Sequence, residues 1–237
     1  MIDIHNHMIY GVDDGSKTIE DSIEILRDLS KRGVTDVILT PHFIPETKYV
    51  SPKLNNIVRY KKLKEEIRSN NIDINLYLGN EIYIDKNIYN YIKTNQMCSL
   101  NNTEYILVEL PMSGLYNDYE DIFASLINNG FKVILAHPER YITFQKDFNK
   151  IYELEDLGVL FQCNLGSIMG EYGKDAKKTI KRLLKEKKVS FMGTDIHKKM
   201  DYSTYIDKAI NKLQKYLTEE ELEDILVNNA KRIINKG

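Results

Sequence analysis

The sequence predicts an α/β protein of one domain, most simply a (β/α)7 barrel. Seven short apolar runs, rich in β-branched residues, have the length and composition of buried strands. The segments between these runs carry apolar residues at three- and four-residue spacing, which is typical of helices. No Pro-, Gly- or Ser-rich linker interrupts the alternation over the 237 residues. Seven β–α units in succession therefore predict a parallel sheet covered by helices within a single domain, residues 1–237.

The predicted elements follow the chain in alternation. The strands are expected at Met1–His7, Asp36–His42, Ile74–Ile82, Tyr105–Pro111, Lys132–His137, Leu160–Leu165 and Ser190–His197. The helices are expected at Ile19–Lys31, Leu54–Ser69, Asp118–Asn128, Phe148–Leu157, Ala176–Glu186, Tyr205–Leu217 and Glu219–Asn235, with an extra helix within Asp85–Leu100. Thr18 with Asp21 three residues later predicts a capping box at the start of the first helix. Gly33, Gly130 and Gly158 follow helical segments where a left-handed C-cap would lie.

The alternation alone leaves two arrangements of the sheet open, a closed barrel and a doubly wound open sheet. A single α/β barrel can have this length. An open sheet that binds a dinucleotide would need a glycine-rich turn after its first strand. The first turn here is His-Asn-His-Met-Ile-Tyr-Gly, residues 5–11, which has no such pattern. The turn therefore favours the barrel.

Composition and charge exclude several classes of function. Hydrophobic residues make up 42% and charged residues 29%, which is ordinary for a globular domain. The net charge of -2 gives no electrostatic reason to expect binding to nucleic acid or to an anionic membrane. We interpret the lysine-rich run from Lys177 to Lys188 as the solvated face of a helix.

The cysteines and the N-terminus bear on the compartment. Cys98 and Cys163 are too few for a disulfide scaffold or a cysteine-based zinc site, so we expect both to be small buried side chains. The sequence begins Met-Ile-Asp-Ile-His, without the basic and apolar regions of a signal peptide. No stretch reaches the ~20 apolar residues that a membrane span requires. A cytoplasmic protein with no direct membrane insertion is the expectation.

All five histidines lie at or just beyond predicted strand ends, in the company of acidic residues. The histidines are His5, His7, His42, His137 and His197, and the acids are Asp13, Asp14, Glu81, Glu109 and Asp195. In a parallel barrel the carboxyl ends of the strands meet at one face, where the active sites of such folds are found. We therefore expect these side chains to converge.

Metal binding is the chemistry that such a set predicts. A single histidine at a strand end is more often structural, but alternate residues such as His5 and His7 can aim two imidazoles at one ion. Buried carboxylates without cations would be costly, which indicates metal partners for the acids. Five imidazoles and at least four carboxylates exceed the ligands of one ion. Nitrogen and oxygen ligands without thiolate suit manganese, iron or zinc, and a multinuclear site fits phosphoester hydrolysis well and amide hydrolysis less exclusively.

Arg140 bears on the choice of reaction. It follows His137 by three residues, so it lies on the loop just beyond a candidate ligand. A guanidinium there can bind a phosphate dianion in bidentate fashion. The spacing fits equally well a surface arginine that pairs with Glu139. The first interpretation favours a phosphatase, and the second carries no function.

Taken together, these residues resemble the PHP (polymerase and histidinol phosphatase) superfamily. Within it the sequence is similar to the bacterial manganese-dependent tyrosine-protein phosphatases of capsule and exopolysaccharide loci. The resemblance runs in order from residue 2 to about residue 200. Its motifs are Asp3-Ile-His5-Asn-His7, Asp13-Asp14-Gly15, Thr40-Pro-His42, Gly79-Asn-Glu81, Glu109-Leu-Pro111, Ala136-His-Pro-Glu-Arg140 and Thr194-Asp-Ile-His197.

The resemblance implies a distorted, TIM-like (β/α)7 barrel with three metal ions, expected to be Mn²⁺ with iron or zinc as alternatives. The implied ligands are His5, His7, Glu81 and Asp195 for the first ion, Glu81, Glu109 and His137 for the second, and Asp14, His42 and His197 for the third. Asp13 is expected to bind no metal ion itself and to hold a ligand in place by a hydrogen bond. Arg140 would bind the substrate phosphate, and we assign it with His42 and Asp14 to the catalytic group.

The resemblance also implies a substrate. It is the phosphotyrosine tail of a membrane-associated tyrosine autokinase that regulates polysaccharide assembly, attacked at phosphorus by a hydroxide that the metal ions activate. A phenol with a pKa of ~10 needs less protonation on leaving than an alkoxide would. Phe43 departs from the family, in which a polar or basic residue often follows the histidine. A homo-oligomer is compatible with the sequence, which marks no interface.

Three other functions remain open. Another PHP phosphoesterase, such as a histidinol phosphatase or a nuclease-like enzyme, would share the metal ligands, although Asp14 stands where histidinol phosphatases tend to have a histidine. An amidohydrolase also opens with His-x-His but usually bridges its metals with a modified lysine, where this chain offers Glu81. A non-catalytic scaffold that binds a kinase would keep the fold and lose turnover.

Overall fold

The computed structural model describes residues 1–114, 118–198 and 204–235. Its strands in chain order are β1 (Ile2–Asp3), β2 (Asp36–Leu39), β3 (His42–Phe43), β4 (Asn75–Leu78), β5 (Glu81–Tyr83), β6 (Tyr105–Glu109), β7 (Lys132–Ala136), β8 (Leu160–Asn164) and β9 (Phe191–Gly193). Its α-helices are α1 (Ile19–Ser30), α2 (Lys53–Ser69), α3 (Ile88–Lys93), α4 (Tyr119–Asn128), α5 (Ile142–Lys146), α6 (Asn149–Asp156), α7 (Leu165–Met169), α8 (Gly173–Lys185), α9 (Tyr205–Leu213), α10 (Glu219–Glu223) and α11 (Asn229–Ile234). Strands and helices alternate as predicted.

The strands form two parallel sheets that run one above the other. The first has the order β1-β2-β4 and the second the order β3-β5-β6-β7-β8-β9. Strands β2 and β3 are the two halves of one predicted strand, and so are β4 and β5. Each half pairs with its counterpart, Asp36 beside Asn75 in the lower sheet and His42 beside Glu81 in the upper one. The chain thus follows a single circuit of seven strand positions.

The first and last strand positions meet and close the circuit. Asn6 and Ile196 form a parallel bridge. The amide of Asp195 donates to the carbonyl of His5 at 2.8 Å, and the amide of His7 donates to the carbonyl of Ile196 at 2.9 Å. Because the first and last strand positions pair directly, the α/β barrel predicted from the sequence is confirmed and the open sheet is excluded.

The interior of the barrel is apolar at one end and polar at the other. Side chains near the strand starts, including Ile2, Tyr105 and Phe191, pack with Ala230 and Ile233 of α11. A second apolar core lies between the sheets and the surrounding helices. Alternate residues of one strand point to the same side of the sheet. A strand can therefore direct apolar side chains into the barrel near its start and a polar side chain into the barrel near its carboxyl end.

Several element boundaries differ from the prediction. The first strand stops at Asp3, because the amides of His5 and Asn6 donate to the side chains of Asp3 and Thr40 in place of a ladder. The last strand stops at Gly193, since Asp195 adopts a left-handed backbone with φ of 53°. Sequence periodicity also missed the short helices α5 and α7, and it did not show the π-helical segment Asp224–Asn228 inside the final helix.

The predicted helix caps are present. Gly33, Gly130 and Gly158 have φ of 77°, 88° and 95°, the left-handed conformation that glycine adopts without strain. At the start of α1 the amide of Asp21 donates to the Thr18 hydroxyl, and the amide of Thr18 donates to the Asp21 carboxylate. The capping box is therefore confirmed.

We expect Thr18→Ala to lower the free energy of unfolding by about 1 kcal/mol, the usual effect of losing an N-cap hydroxyl. Urea denaturation would measure the change. Thr204→Ala is the matched control, because Thr204 precedes α9 in the N-cap position but its side chain makes no capping hydrogen bond. Equal losses in the two variants would contradict the role of the hydroxyl.

Candidate metal centre

The structure brings all nine candidate ligands to the upper end of the barrel. They arrive from different segments: His5, His7 and Asp14 from the loop after β1, His42 from β3, Glu81 from β5, Glu109 from β6, His137 from the residue after β7, and Asp195 and His197 from the segment after β9. Most are buried, with Asp14 and His197 partly exposed. The convergence predicted from the strand ends is present in the fold.

Glu81 lies at the centre of this cluster. Its Oε1 is 3.2 Å from His5 Nε2 and 3.0 Å from His137 Nε2. Its Oε2 is 3.2 Å from His7 Nε2 and 2.9 Å from His42 Nδ1. Burial opposes its ionisation, but the charges of His5 and His42, together with hydrogen bonds to imidazole, hold the pKa of Glu81 well below its usual value. One carboxylate that faces four imidazoles has the geometry of a bridging ligand.

The ligand atoms fall into overlapping groups whose members lie within 4.8 Å of one another. The groups are His7–Asp14–His42–His197, His5–His7–Glu81, His5–His137–Asp195 and His42–Glu81–Glu109. In the set implied for a third ion, Asp14 Oδ1 is 3.5 Å from both His42 Nε2 and His197 Nε2. The overlap supports more than one ion. How the ligands divide among the ions stays a prediction.

The chemistry of these residues fits divalent cations. Among the described residues, Glu81 Oε2, His42 Nδ1 and Asp14 Oδ1 are buried atoms that lie close to other candidate ligand atoms but make no hydrogen bond of acceptable geometry. Burial, together with the charges of Glu81 and Asp195, raises the pKa of Glu109 well above its usual value. Crowded carboxylates and unpartnered buried polar atoms are costly unless cations neutralise them. Nitrogen and oxygen atoms without thiolate are the donors that manganese, iron and zinc accept.

Asp13 lies outside the ligand groups and contacts two of their members, His7 and His42. Its Oδ2 is 2.9 Å from His7 Nδ1 and accepts the amide of His42 at 3.0 Å, while Oδ1 accepts the amide of Gly15 at 2.9 Å. This is the contact expected if Asp13 orients His7. A β-carbon on Gly15 would lie 2.0 Å from the carbonyl oxygen of His7, so the Asp-Asp-Gly turn requires glycine at this position.

Arg140 lies at the rim of the cluster. Its Nη1 donates to Asp195 Oδ2 at 2.8 Å, and its guanidinium stacks 4.2 Å from the centre of the Tyr172 ring. The side chain is 23% exposed, so one part faces outward. Glu139 is instead fully buried, where it accepts the amide of Asn164 and the hydroxyl of Ser167. The interpretation of Arg140 as a surface arginine paired with Glu139 is therefore wrong.

Strand β8 carries a buried polar pair that the motifs in the sequence did not indicate. Gln162 Oε1 is 2.7 Å from His5 Nδ1, and Asn164 Nδ2 donates to Asp195 Oδ2 at 2.7 Å. The signal was present in the sequence, because polar residues at alternate positions of an otherwise apolar buried strand must share one face.

The two cysteines are buried as expected, and burial raises the pKa of the Cys98 thiol to about 11.

The fold and the site together define the class: an α/β-barrel protein with a cluster of candidate metal ligands at the carboxyl ends of its strands. The family model for capsular polysaccharide synthesis, CpsB/CapC, matches residues 1–235. The chain belongs to the CpsB/CapC family. The family resemblance predicted from the sequence is thereby confirmed.

Individual relatives are similar over more than nine-tenths of their length. CapC of Staphylococcus aureus is 30% identical over 238 residues, with 100% of this chain and 92% of that protein covered. The tyrosine-protein phosphatase YwqE of Bacillus subtilis (strain 168) is 29% identical, with 99% and 91% covered. The tyrosine-protein phosphatase CpsB of Streptococcus agalactiae serotype III (strain NEM316) is 25% identical, with 99% and 98% covered.

Solved structures agree with the fold. Crystal structures of YwqE from Bacillus subtilis and CpsB from Streptococcus pneumoniae, described as metal-dependent tyrosine phosphatases, include a chain with a TM-score of 0.91 and 28% identity, covering 99% of this chain and 94% of that one. Histidinol phosphate phosphatase from Lactococcus lactis has a TM-score of 0.60 at 15% identity, covers 91% of this chain and 93% of that one, and supports the fold alone. The enzyme class predicted from the sequence, a metal-dependent phosphoric monoester hydrolase, agrees with these relatives.

None of the helices in the described ranges has the length and apolar character needed to cross a membrane.

Proposed function

We propose that this chain is a metal-dependent protein-tyrosine phosphatase. The observation that carries the proposal is the position of Arg140 beside Asp195, at the rim of a cluster of imidazoles and carboxylates. A cluster of this composition suits hydrolysis, and a guanidinium at its rim selects an anionic substrate. Relatives that bear the name tyrosine-protein phosphatase support the choice of phosphotyrosine.

Metal ions held by these ligands would supply the nucleophile by lowering the pKa of water, and they would stabilise charge on the attacking and leaving oxygens. The ligands proposed to hold them are His5, His7, Asp14, His42, Glu81, Glu109, His137, Asp195 and His197. We propose three Mn²⁺ ions, because the resemblance implies that number and the overlapping ligand groups can hold more than one.

The chain's own residues would bind and orient the phosphate. Arg140 has a fork of donors, of which Nη1 is engaged by Asp195 and fixes the direction of the guanidinium. The stack on Tyr172 restricts the same group from its face. A guanidinium oriented in advance loses little entropy when it binds the oxygens of a phosphoryl group. The phenolate that leaves from phosphotyrosine is a stable anion, so a strong general acid is not required.

The proposed substrate is the phosphotyrosine tail of a membrane-associated tyrosine autokinase that regulates capsular or exopolysaccharide synthesis. Membership of a capsular polysaccharide synthesis family supports this part of the proposal. The sequence predicts a cytoplasmic location for this chain, and the phosphotyrosine tail of such a kinase would lie in the same compartment.

Metal removal tests the proposal directly. We expect excess chelator to abolish hydrolysis of p-nitrophenyl phosphate and added Mn²⁺ to restore it, because water at this site needs metal ions to become a nucleophile at neutral pH. Elemental analysis of the purified protein should find more than one ion per chain. Activity that persists in excess chelator would overturn the proposal.

A panel of substrates then separates the alternatives. With Mn²⁺ present, we expect kcat/KM for a phosphotyrosine peptide to exceed that for histidinol phosphate and for a DNA 5′-phosphate end. Preference for histidinol phosphate would assign the chain to the small-molecule branch of the superfamily. Metal binding without turnover of any phosphoester would instead indicate a scaffold.

A further inference from the structure

We propose that Gln162 and Asn164 are positioning residues, which hold His5 and Asp195 in the orientation that metal binding requires. This inference rests on the proposed metal-dependent function. Both side chains are fully buried and lie on β8, which is paired with β7 on one side and β9 on the other. None of the candidate ligands comes from β8. The strand thus reaches the centre without contributing a ligand of its own.

The two amides form a continuous hydrogen-bonded chain between an imidazole and a carboxylate. His5 Nδ1 is 2.7 Å from Gln162 Oε1. Gln162 Nε2 donates to Asn164 Oδ1 at 2.9 Å and to the carbonyl of Cys163 at 2.9 Å. Asn164 Nδ2 donates to Asp195 Oδ2 at 2.7 Å. Each amide group therefore has a partner at both its oxygen and its nitrogen.

The direction of this chain is fixed by groups that can only accept. The carbonyl of Cys163 and the carboxylate of Asp195 have no proton to donate, so each must face an amide nitrogen. Gln162 must then turn its oxygen toward His5, which requires a proton on His5 Nδ1. In the neutral imidazole, which is the form that binds a metal ion, the Nε2 lone pair of His5 is then directed at the centre, where Nε2 lies 3.2 Å from Glu81 Oε1 and 3.5 Å from Asp195 Oδ1.

The same hydrogen-bonded network gives the two carboxylate oxygens of Asp195 different partners. Oδ2 is held by Asn164 at 2.7 Å and by Arg140 at 2.8 Å. Oδ1 instead faces imidazoles, at 3.5 Å from His5 Nε2 and 3.4 Å from His7 Nε2. An anchored outer oxygen leaves the inner one to bind metal in a fixed direction. Outer contacts of this kind usually set the orientation and basicity of metal ligands.

The packing beside β8 leaves room for the amide of Gln162. A β-carbon on Gly193, the residue before the Thr194-Asp195 pair, would lie 2.7 Å from Gln162 Nε2 and 2.9 Å from the β-carbon of His5. A larger residue there would displace both side chains. A role in packing alone would not require an amide at position 162, since an apolar side chain of the same length would fill the space without polar atoms to satisfy.

Metal affinity separates positioning from packing. In Gln162→Met the shape is nearly kept and the acceptor for His5 is lost, while Asn164→Asp is isosteric and cannot donate to Asp195. We expect calorimetric titration of the metal-free proteins with Mn²⁺ to show about 10- to 100-fold weaker binding in each variant, the usual effect of removing such a contact. Circular dichroism of each metal-free variant would verify that it is folded.

Cys163→Ala provides the control, because Cys163 is equally buried on the same strand but packs in the core outside the barrel. It should lower thermal stability and leave Mn²⁺ affinity unchanged. If Gln162→Met and Asn164→Asp both bound Mn²⁺ as tightly as Cys163→Ala, the positioning role would be overturned and the phosphatase proposal would stand. A wild-type protein that binds no metal would overturn both.

Discussion

Replacement of Glu81 by glutamine should remove metal binding and phosphatase activity together. Each carboxylate oxygen of Glu81 faces two imidazole nitrogens, at distances between 2.9 and 3.2 Å. A neutral amide of the same shape offers only one acceptor oxygen and no charge to balance a cation. We expect the loss of activity to exceed the about 10- to 100-fold that is typical for contacts outside the ligand shell. Elemental analysis should find less metal per chain.

Glu139→Gln is the matched control for this change. Glu139 is also a fully buried glutamate near the upper end of the barrel, but its Oε1 accepts the Asn164 amide and the Ser167 hydroxyl, which an amide oxygen can replace. Metal content in this control should match that of the wild type. A Glu81→Gln protein with normal metal content would remove Glu81 from the ligand set.

The second large effect is expected for Arg140→Ala, and it should fall on turnover. A donor aimed at charge that develops in the transition state is typically worth about 100- to 1,000-fold in kcat. Metal content should be retained, because Asn164 still holds Asp195 Oδ2 when Arg140 is gone. Steady-state kinetics on p-nitrophenyl phosphate together with elemental analysis would measure both quantities. Arg140→Lys should recover little, since an ammonium lacks the planar fork.

Arg182→Ala controls for the loss of a stacked arginine elsewhere. The Arg182 guanidinium lies 3.8 Å from the centre of the Phe148 ring and pairs with Glu186, so it makes the same two kinds of contact at a more exposed position away from the ligand cluster. We expect normal kcat in this variant. If Arg140→Ala were as active as Arg182→Ala, the phosphate would have to be bound by other groups.

Much of the fold could be predicted because its signals are local. The strand at 105–109 begins with four consecutive buried residues, and its short length and β-branched composition distinguish it from the amphipathic helix that follows. Thr18 and Asp21 define the start of α1 through contacts only three residues apart. The convergence of the candidate ligands was also predictable, since the order of the strands brings His42 beside Glu81.

What the sequence did not reveal depends on contacts between distant segments. The early end of β1 reflects the hydrogen bond from the Asn6 amide to the Thr40 side chain, 34 residues away. The pairing of Arg140 with Asp195 joins residues 55 apart, so spacing could not decide between that partner and Glu139. The roles of Gln162 and Asn164 likewise depend on which side chains the barrel places next to them.

The seam between Asn6 and Ile196 has a consequence for when the centre can form during synthesis. The candidate ligands at positions 5 and 7 are synthesised well before those at positions 195 and 197, so the proposed centre cannot be complete until the chain has been made as far as His197. Metal ions bound across this seam would join the first and last strand positions and favour only the closed barrel. The supply of metal ions would then affect the folding of this protein only at a late stage, when the barrel closes.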